Sequence, residues 1–236
     1  MKKKVFKFYG FVVSFFIFST FLYAGRPLTT DDSETVEKGK FELEIGYDWI
    51  KNIDKTKSQE IGLSLKGGVT DWMDLGISLP YCIKEADQDV NEWGKLEIGA
   101  KFSLLKEKEN TPGLAFTVSG TVSPDEGDKR YGLNLILSKN FEKLTTHLNL
   151  GIYSLKTVDK NENILTYSGA IEYSITEKLN FVGEIVGESN EVSPFEILIG
   201  INYAFSENFT YDIGISFGLN DDTPDWRITT GITLNW

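Results

Sequence analysis

The chain has one histidine, His147, and one cysteine, Cys82. A lipid hydrolase working from a strand needs a histidine and a nucleophilic serine close together, polarised by an asparagine. Two residues on from His147 stands Asn149, not a serine. An Asp–His protease needs its histidine at the top of a carboxylate-rich rim, whereas His147 falls near the middle of its segment. A single imidazole also leaves little for general acid–base work. One His and one Cys make no zinc-type ligand set and no intramolecular disulfide. The residues therefore predict no catalytic group, no metal site and no cofactor.

The charges are more informative than the histidine. Glu42, Glu44, Asp48, Glu60, Asp74, Glu97, Glu172, Glu184, Glu196 and Asp212 share one parity of an alternating pattern, together with His147. Lys66, Lys95, Lys101 and Arg227 fall on the same parity. On the inner face of a barrel, these residues would line a pore or cavity that prefers neutral or cationic solutes, because carboxylate rings repel anions. They would equally make an ion-pair network that plugs a narrow lumen. Gly, Ser and Thr between them would leave room for a passage.

These residues are positioned by a two-residue period that runs almost without interruption after residue 40. Twelve segments of about ten residues follow one another. In the first, Phe41, Leu43, Ile45, Tyr47 and Trp49 alternate with Glu42, Glu44, Gly46 and Asp48. In the eleventh, Phe209, Tyr211, Ile213, Ile215 and Phe217 alternate with Thr210, Asp212, Gly214 and Ser216. The ninth is the least regular, with Val182 and Val186 on its polar side. Soluble strands average about 5–6 residues, while tilted spanning strands need about 9–11. Aromatics such as Trp49, Tyr81, Tyr131, Phe205, Trp226 and Trp236 fall near the ends of the apolar faces, as interfacial girdles do. The pattern predicts an all-β fold: a transmembrane antiparallel up-and-down β-barrel of about twelve strands.

The connections alternate. Short charged turns at Thr70-Asp71, Phe141-Glu142-Lys143, Thr176-Glu177-Lys178 and Ser206-Glu207-Asn208, with a longer one at residues 106–110, are separated by longer acidic connections around Asp54, residues 85–89, 125–128, 159–162, 188–191 and Asp221-Asp222. Short turns on the periplasmic side and longer loops outside are the bacterial outer-membrane arrangement. The acidic loops suit divalent cations bridging to lipopolysaccharide, or are simply solvated.

Lys2, Lys3, Lys4 and Lys7 precede an apolar, aromatic run over residues 11–23 and a small Ala24-Gly25 site, the layout of a secretory signal peptide. The expected organisation is a signal peptide over residues 1–24, a periplasmic or luminal segment over 25–39, and an outer-membrane barrel over 40–236. The formal charge of the whole chain is −11, and removing four lysines makes it more acidic. No nucleic-acid partner is expected of such a surface.

The last eight residues resemble the assembly signal of outer-membrane proteins, through Thr229, Gly231, Leu234 and the terminal Trp236. This resemblance implies periplasmic chaperones and the barrel assembly machinery as partners, with insertion among the lipid and lipopolysaccharide of a Gram-negative outer membrane. Gly25-Arg26-Pro27-Leu28-Thr29-Thr30-Asp31-Asp32, Lys38-Gly39-Lys40-Phe41-Glu42-Leu43-Glu44, Gly68-Val69-Thr70-Asp71, Leu79-Pro80-Tyr81 and Asp222-Thr223-Pro224-Asp225-Trp226 are similar to the outer-membrane family of the MetA pathway of phenol degradation. That resemblance implies a transporter-like barrel. The expected function is a channel for passive passage of small neutral or cationic solutes, aromatic or hydrophobic ones included. Two alternatives stay open: a closed structural or adhesive barrel acting through its loops, and a luminal hydrolase using His147.

Overall fold

A computed structural model of the chain describes residues 25–122, 129–156, 161–189 and 193–236. The signal-peptide expectation for 1–24, and the acidic connections at 125–128, 159–160 and 190–191, lie outside the described residues.

Thirteen strands form among the described residues: β1 (Phe41–Lys51), β2 (Lys57–Thr70), β3 (Met73–Glu85), β4 (Gln88–Trp93), β5 (Leu96–Leu105), β6 (Gly113–Val122), β7 (Lys129–Phe141), β8 (Leu144–Lys156), β9 (Asn161–Ser174), β10 (Leu179–Ser189), β11 (Phe195–Ser206), β12 (Phe209–Gly218) and β13 (Trp226–Asn235). All of them except β4 close into one antiparallel, twelve-stranded barrel. Neighbours in sequence pair with each other, β3 pairs with β5, and β1 pairs with both β2 and β13. The ring is sealed where Phe41 and Trp236 exchange backbone hydrogen bonds of 2.9 and 3.1 Å. The described residues contain no helix long and apolar enough to cross a membrane.

Closure follows from the alternation. Each wall strand turns one parity outward, so Leu75, Ile77, Leu135, Leu148, Leu150, Ile199 and Ile213 are exposed. The other parity faces inward, and the buried side chains are mostly polar or charged, Asp74, Lys101, Glu184 and Asp212 among them. That is the inverse of a soluble domain, where large apolar residues fill the interior. The ring itself has no free edge, so each wall strand pairs on both sides, as a bilayer core demands.

Aromatic pairs mark both rims. At the end carrying Trp236, Phe41 stacks on Trp236 at 5.8 Å and Phe205 on Phe209 at 5.4 Å. At the far end, Trp49 meets Trp226 edge-on at 5.2 Å and Tyr81 meets Trp93 at 4.8 Å.

The short β4 departs from the sequence pattern, which reads residues 85–89 as a loop. Ala86 and Asp87 both take positive φ, 46° and 67°, and turn the far end of β3 back on itself as a hairpin. Two-residue hairpin turns need such angles and usually advertise them with Asn-Gly; Ala-Asp gives no such signal.

Candidate functional site

The interior is occupied by residues 26–38, which run around the inside of the wall. The segment is polar and has no strand period, so its backbone groups must find partners elsewhere. It finds them on one strand after another. Arg26 reaches β12 and β13, its Nε 3.3 Å from Asp212 and its second terminal nitrogen donating to Thr229 at 2.8 Å. On β10, the Glu184 carboxylate accepts from the Thr29 amide at 2.8 Å, from the Thr29 hydroxyl at 2.8 Å, and from the Thr30 amide. Asn149 on β8 accepts from the Asp31 amide and donates to the Asp31 carbonyl, both at 2.8 Å. Lys101 on β5 donates to the Asp31 carboxylate at 2.7 Å and to the carbonyls of Asp32 and Glu34 at 3.0 and 2.9 Å. The Ser33 amide donates to Ser138 on β7, the Val36 amide to Asp74 on β3, and Lys38 bridges to Gly68 on β2.

Leu28 anchors the segment apolarly. It is buried against Ala170, Val182 and Leu198 from β9, β10 and β11. This explains the irregular ninth segment: Val182 sits on the wet parity because an apolar side chain docks there. The visible signal was this set of misplaced apolar residues, to which Ala115 and Ile136, both fully buried, also belong.

Two inner-wall glycines are required by close approach. Gly46 and Gly231 are register partners on β1 and β13, and a Cβ on either would collide with the Arg26 guanidinium. Gly231, read above as part of an assembly signal, is therefore also a seat for the luminal segment. The inner-face glycines do not all keep a passage open; these two are filled.

The predicted lining residues separate into groups. Asp74, Lys101, Glu184 and Asp212 grip the segment directly. Lys66 bridges Glu42 at 2.7 Å and Glu44 at 3.5 Å within the β1–β2 wall. Arg227 pairs with Glu196 at 2.7 Å. Asp48 and Glu60 face each other across the β1–β2 ladder. Glu97 lies in a separate recess nearer the far end, with Arg130 stacked 3.3 Å over the Tyr153 ring and Tyr153 donating to Glu188 at 2.8 Å. Lys95 stands just before β5, half-buried.

His147 has a serine partner that its own strand does not supply. Ser138, opposite it on β7, lies 2.9 Å from Nδ1, and Glu172 lies 3.2 Å from Nε2. Ser138 accepts the Ser33 amide and shares a hydrogen bond with Nδ1, while Nε2 pairs with Glu172. The row contains serine, histidine and carboxylate, yet Ser138 and His147 are buried and the serine oxygen is covered by the luminal segment. What it does in this arrangement is hold Ser33. Among the described residues, no group of three His, Cys, Asp or Glu side chains could hold a metal ion.

Residues 22–236 match the model of a family described as Uncharacterised conserved protein UCP029691. The chain belongs to that family. It is a different family from the phenol-degradation one that the N-terminal and Gly68–Tyr81 motifs resemble. No protein of curated function matches by sequence. Among solved structures, the chain is similar to the COG4313 outer membrane channel from Pseudomonas putida F1, with a TM-score of 0.72, 13% identity, and coverage of 87% of this chain and 98% of that one. It is also similar to the KdgM porin (0.63, 11%, 82% and 98%) and the NanC porin (0.59, 11%, 82% and 98%). At such identities these likenesses show the fold, a closed twelve-stranded barrel of outer-membrane type.

Proposed function

We propose that the protein is an outer-membrane channel for passive passage of small neutral or cationic solutes, constricted by residues 26–38. The observation that carries this is the polar, net acidic lumen inside a closed barrel, with a hydrogen-bonded segment narrowing it and an acid-lined recess left beside that segment. Carboxylates left facing the passage favour cations over anions. The channels and porins of similar fold support the reading, as do the transporter-like motifs of the phenol-degradation family. A signal peptide over residues 1–24, export with periplasmic chaperones, insertion by the barrel assembly machinery through Thr229, Gly231, Leu234 and Trp236, and lipopolysaccharide around the far-end loops belong to the same proposal.

A second reading is favoured by the density of the luminal contacts. Arg26 to Lys38 hydrogen-bond or bridge to eight of the twelve wall strands, and Leu28 packs against two more, which suits a barrel that rests closed. Planar-bilayer recording separates the two. The channel reading expects small, cation-preferring conductance from the full-length protein and a several-fold larger one from a variant lacking residues 26–38. Silence from the full-length protein, with large currents from the deletion, selects the closed barrel. Silence from both, with no solute flux in liposome swelling, rejects the channel.

A further inference from the structure

On the far-end side of the luminal segment, the inner wall from β5 to β9 is hollowed by a separate recess of roughly 300 Å³, partly open to the lumen. Two glycines make the hollow. The ladder sets Ser119, Gly132 and Tyr153 in one row across β6, β7 and β8, and Gly132 brings no side chain to it. A Cβ there would stand 3.1 Å from Ser119 Oγ and 3.7 Å from Tyr153 Cβ. One row deeper, Gly151 leaves the same gap between Asn134 and Thr166. The lining is polar, with the hydroxyls of Thr117, Ser119 and Thr166 around it.

Two opposite charges line this recess without meeting. Arg130 on β7 is drawn towards β8, where its guanidinium sits 3.3 Å over the Tyr153 ring. Glu97 on β5 has the Ser119 hydroxyl as its hydrogen-bond partner. The two strands are separated by β6, and two strand spacings amount to about 10 Å. No ion pair joins the two side chains, and the nearby Glu188 accepts from the Tyr153 hydroxyl. A guanidinium stacked on a ring keeps its N–H edge for a planar acceptor such as a carboxylate. A ligand that completes this open pair must carry both charges: an anion for Arg130 and a cation with N–H donors for Glu97. Each contact is a charge-assisted hydrogen bond of about 2.8 Å. A carboxylate and an ammonium on one carbon, placed between the two side chains, span the separation. An ion with only one of these charges leaves the other wall charge unanswered.

We propose that this recess binds the zwitterionic head of a small α-amino acid, its carboxylate on Arg130 and its ammonium on Glu97. The proposal rests on the channel reading and deepens it. The acidic wall of β1 and β2 turns anions away, and this site chooses among solutes with no net charge.

The test is calorimetric titration of L-alanine into the detergent-folded, full-length protein, with ethylammonium chloride and sodium propionate as probes that carry one charge each. The expected result is saturable binding of L-alanine, with each single-charge probe weaker by about tenfold or more. In Glu97→Gln, L-alanine should weaken about tenfold and fall level with propionate, because the ammonium has lost its partner. In Arg130→Gln, L-alanine should fall level with ethylammonium. Glu97→Gln is nearly isosteric and keeps the test alive if Arg130→Gln does not fold. Asp71→Asn, which removes a negative charge from an exposed turn, should leave binding unchanged. No binding, binding of either single-charge probe as tight as that of L-alanine, or binding indifferent to Glu97→Gln and Arg130→Gln overturns the proposal. Binding does not require conduction: L-alanine bound by a protein silent in bilayers refutes the channel and leaves the site, while currents without binding refute the site alone.

Discussion

The two sides of the lumen treat residues 26–38 differently. Along β5, β7, β8 and β10, wall donors and acceptors are matched to the segment: Lys101 satisfies three of its oxygens, Glu184 takes three of its donors, and Asn149 bonds both ways to the Asp31 backbone. Along the inner faces of β1 and β2 the acids outnumber the bases, with Glu42, Glu44, Asp48 and Glu60 against Lys66. The first side is built to hold a peptide. The second is left with acceptors facing a recess. In the channel proposed above, constriction and selectivity would belong to opposite walls of one barrel.

The largest effect is expected at Lys101. This ammonium is 3% exposed and joined to a fully buried Asp31. Removing one member of a buried pair leaves the other uncompensated, typically at about 3–5 kcal/mol. In Lys101→Met the cost falls on docking of the segment, because the barrel ladder does not depend on this side chain. In a Cys82→Ser background, Ser33→Cys reports docking through its rate of reaction with a thiol reagent. That rate should rise by about two to four powers of ten when Lys101 is replaced. Glu42→Gln on the opposite wall should leave it unchanged. Equal effects from the two variants would end the distinction between the walls.

A smaller effect is expected at Leu28. Leu→Ala in a packed site costs about 2–5 kcal/mol, with the low end where surroundings can collapse. Leu28 packs against only three buried wall side chains and lines the recess beside the segment, so Leu28→Ala should lie at that low end. It should loosen Thr29 and Thr30 from Glu184 and leave Ser33 held by Ser138. Hydrogen exchange at the Thr30 and Ser33 amides distinguishes the two ends: Thr30 should exchange faster and Ser33 should not.

The twelve wall strands were legible because a spanning strand must be apolar on its whole outer face, and that demand writes itself every second residue. Asp212 and Lys101 could be placed on the inner face for the same reason. Their partners could not, because Arg26 lies 186 positions from Asp212 and Thr29 lies 155 from Glu184, and no local period links them. The Ser138–His147 pairing is hidden for a similar reason: the neighbour of His147 along its own strand is Asn149, while the register brings the serine from the next strand. Val182 and Leu198 were readable as anomalies, apolar residues where wet ones were due. What they dock, Leu28, sits in a segment whose sequence allows a periplasmic as well as a luminal course.

The subtlest difference between the walls is a dependence on pH. Burial pushes the Asp31 carboxyl up to about 7 despite the adjacent Lys101, with Asp32 acting in the same direction and Lys66 against it. Glu34 is raised too, by burial and by the nearby Asp32 and Glu107, against Lys101 and His147. A free aspartate titrates near 4, so the docked segment binds protons that the undocked one has already lost. Docking is therefore strongest at low pH and weakens as pH rises through the interval from about 4 to about 7, then levels off. Open time in bilayers should lengthen from pH 5 to pH 7 and change little from pH 7 to pH 8. Asp31→Asn keeps an oxygen for Lys101 to donate to and removes the titration, so its profile should be flatter than that of the natural chain. Other luminal acids titrate in both proteins, and the difference between the two profiles isolates Asp31. A profile that Asp31→Asn leaves unaltered would move the pH response to the opposite wall, among the acids that face the recess.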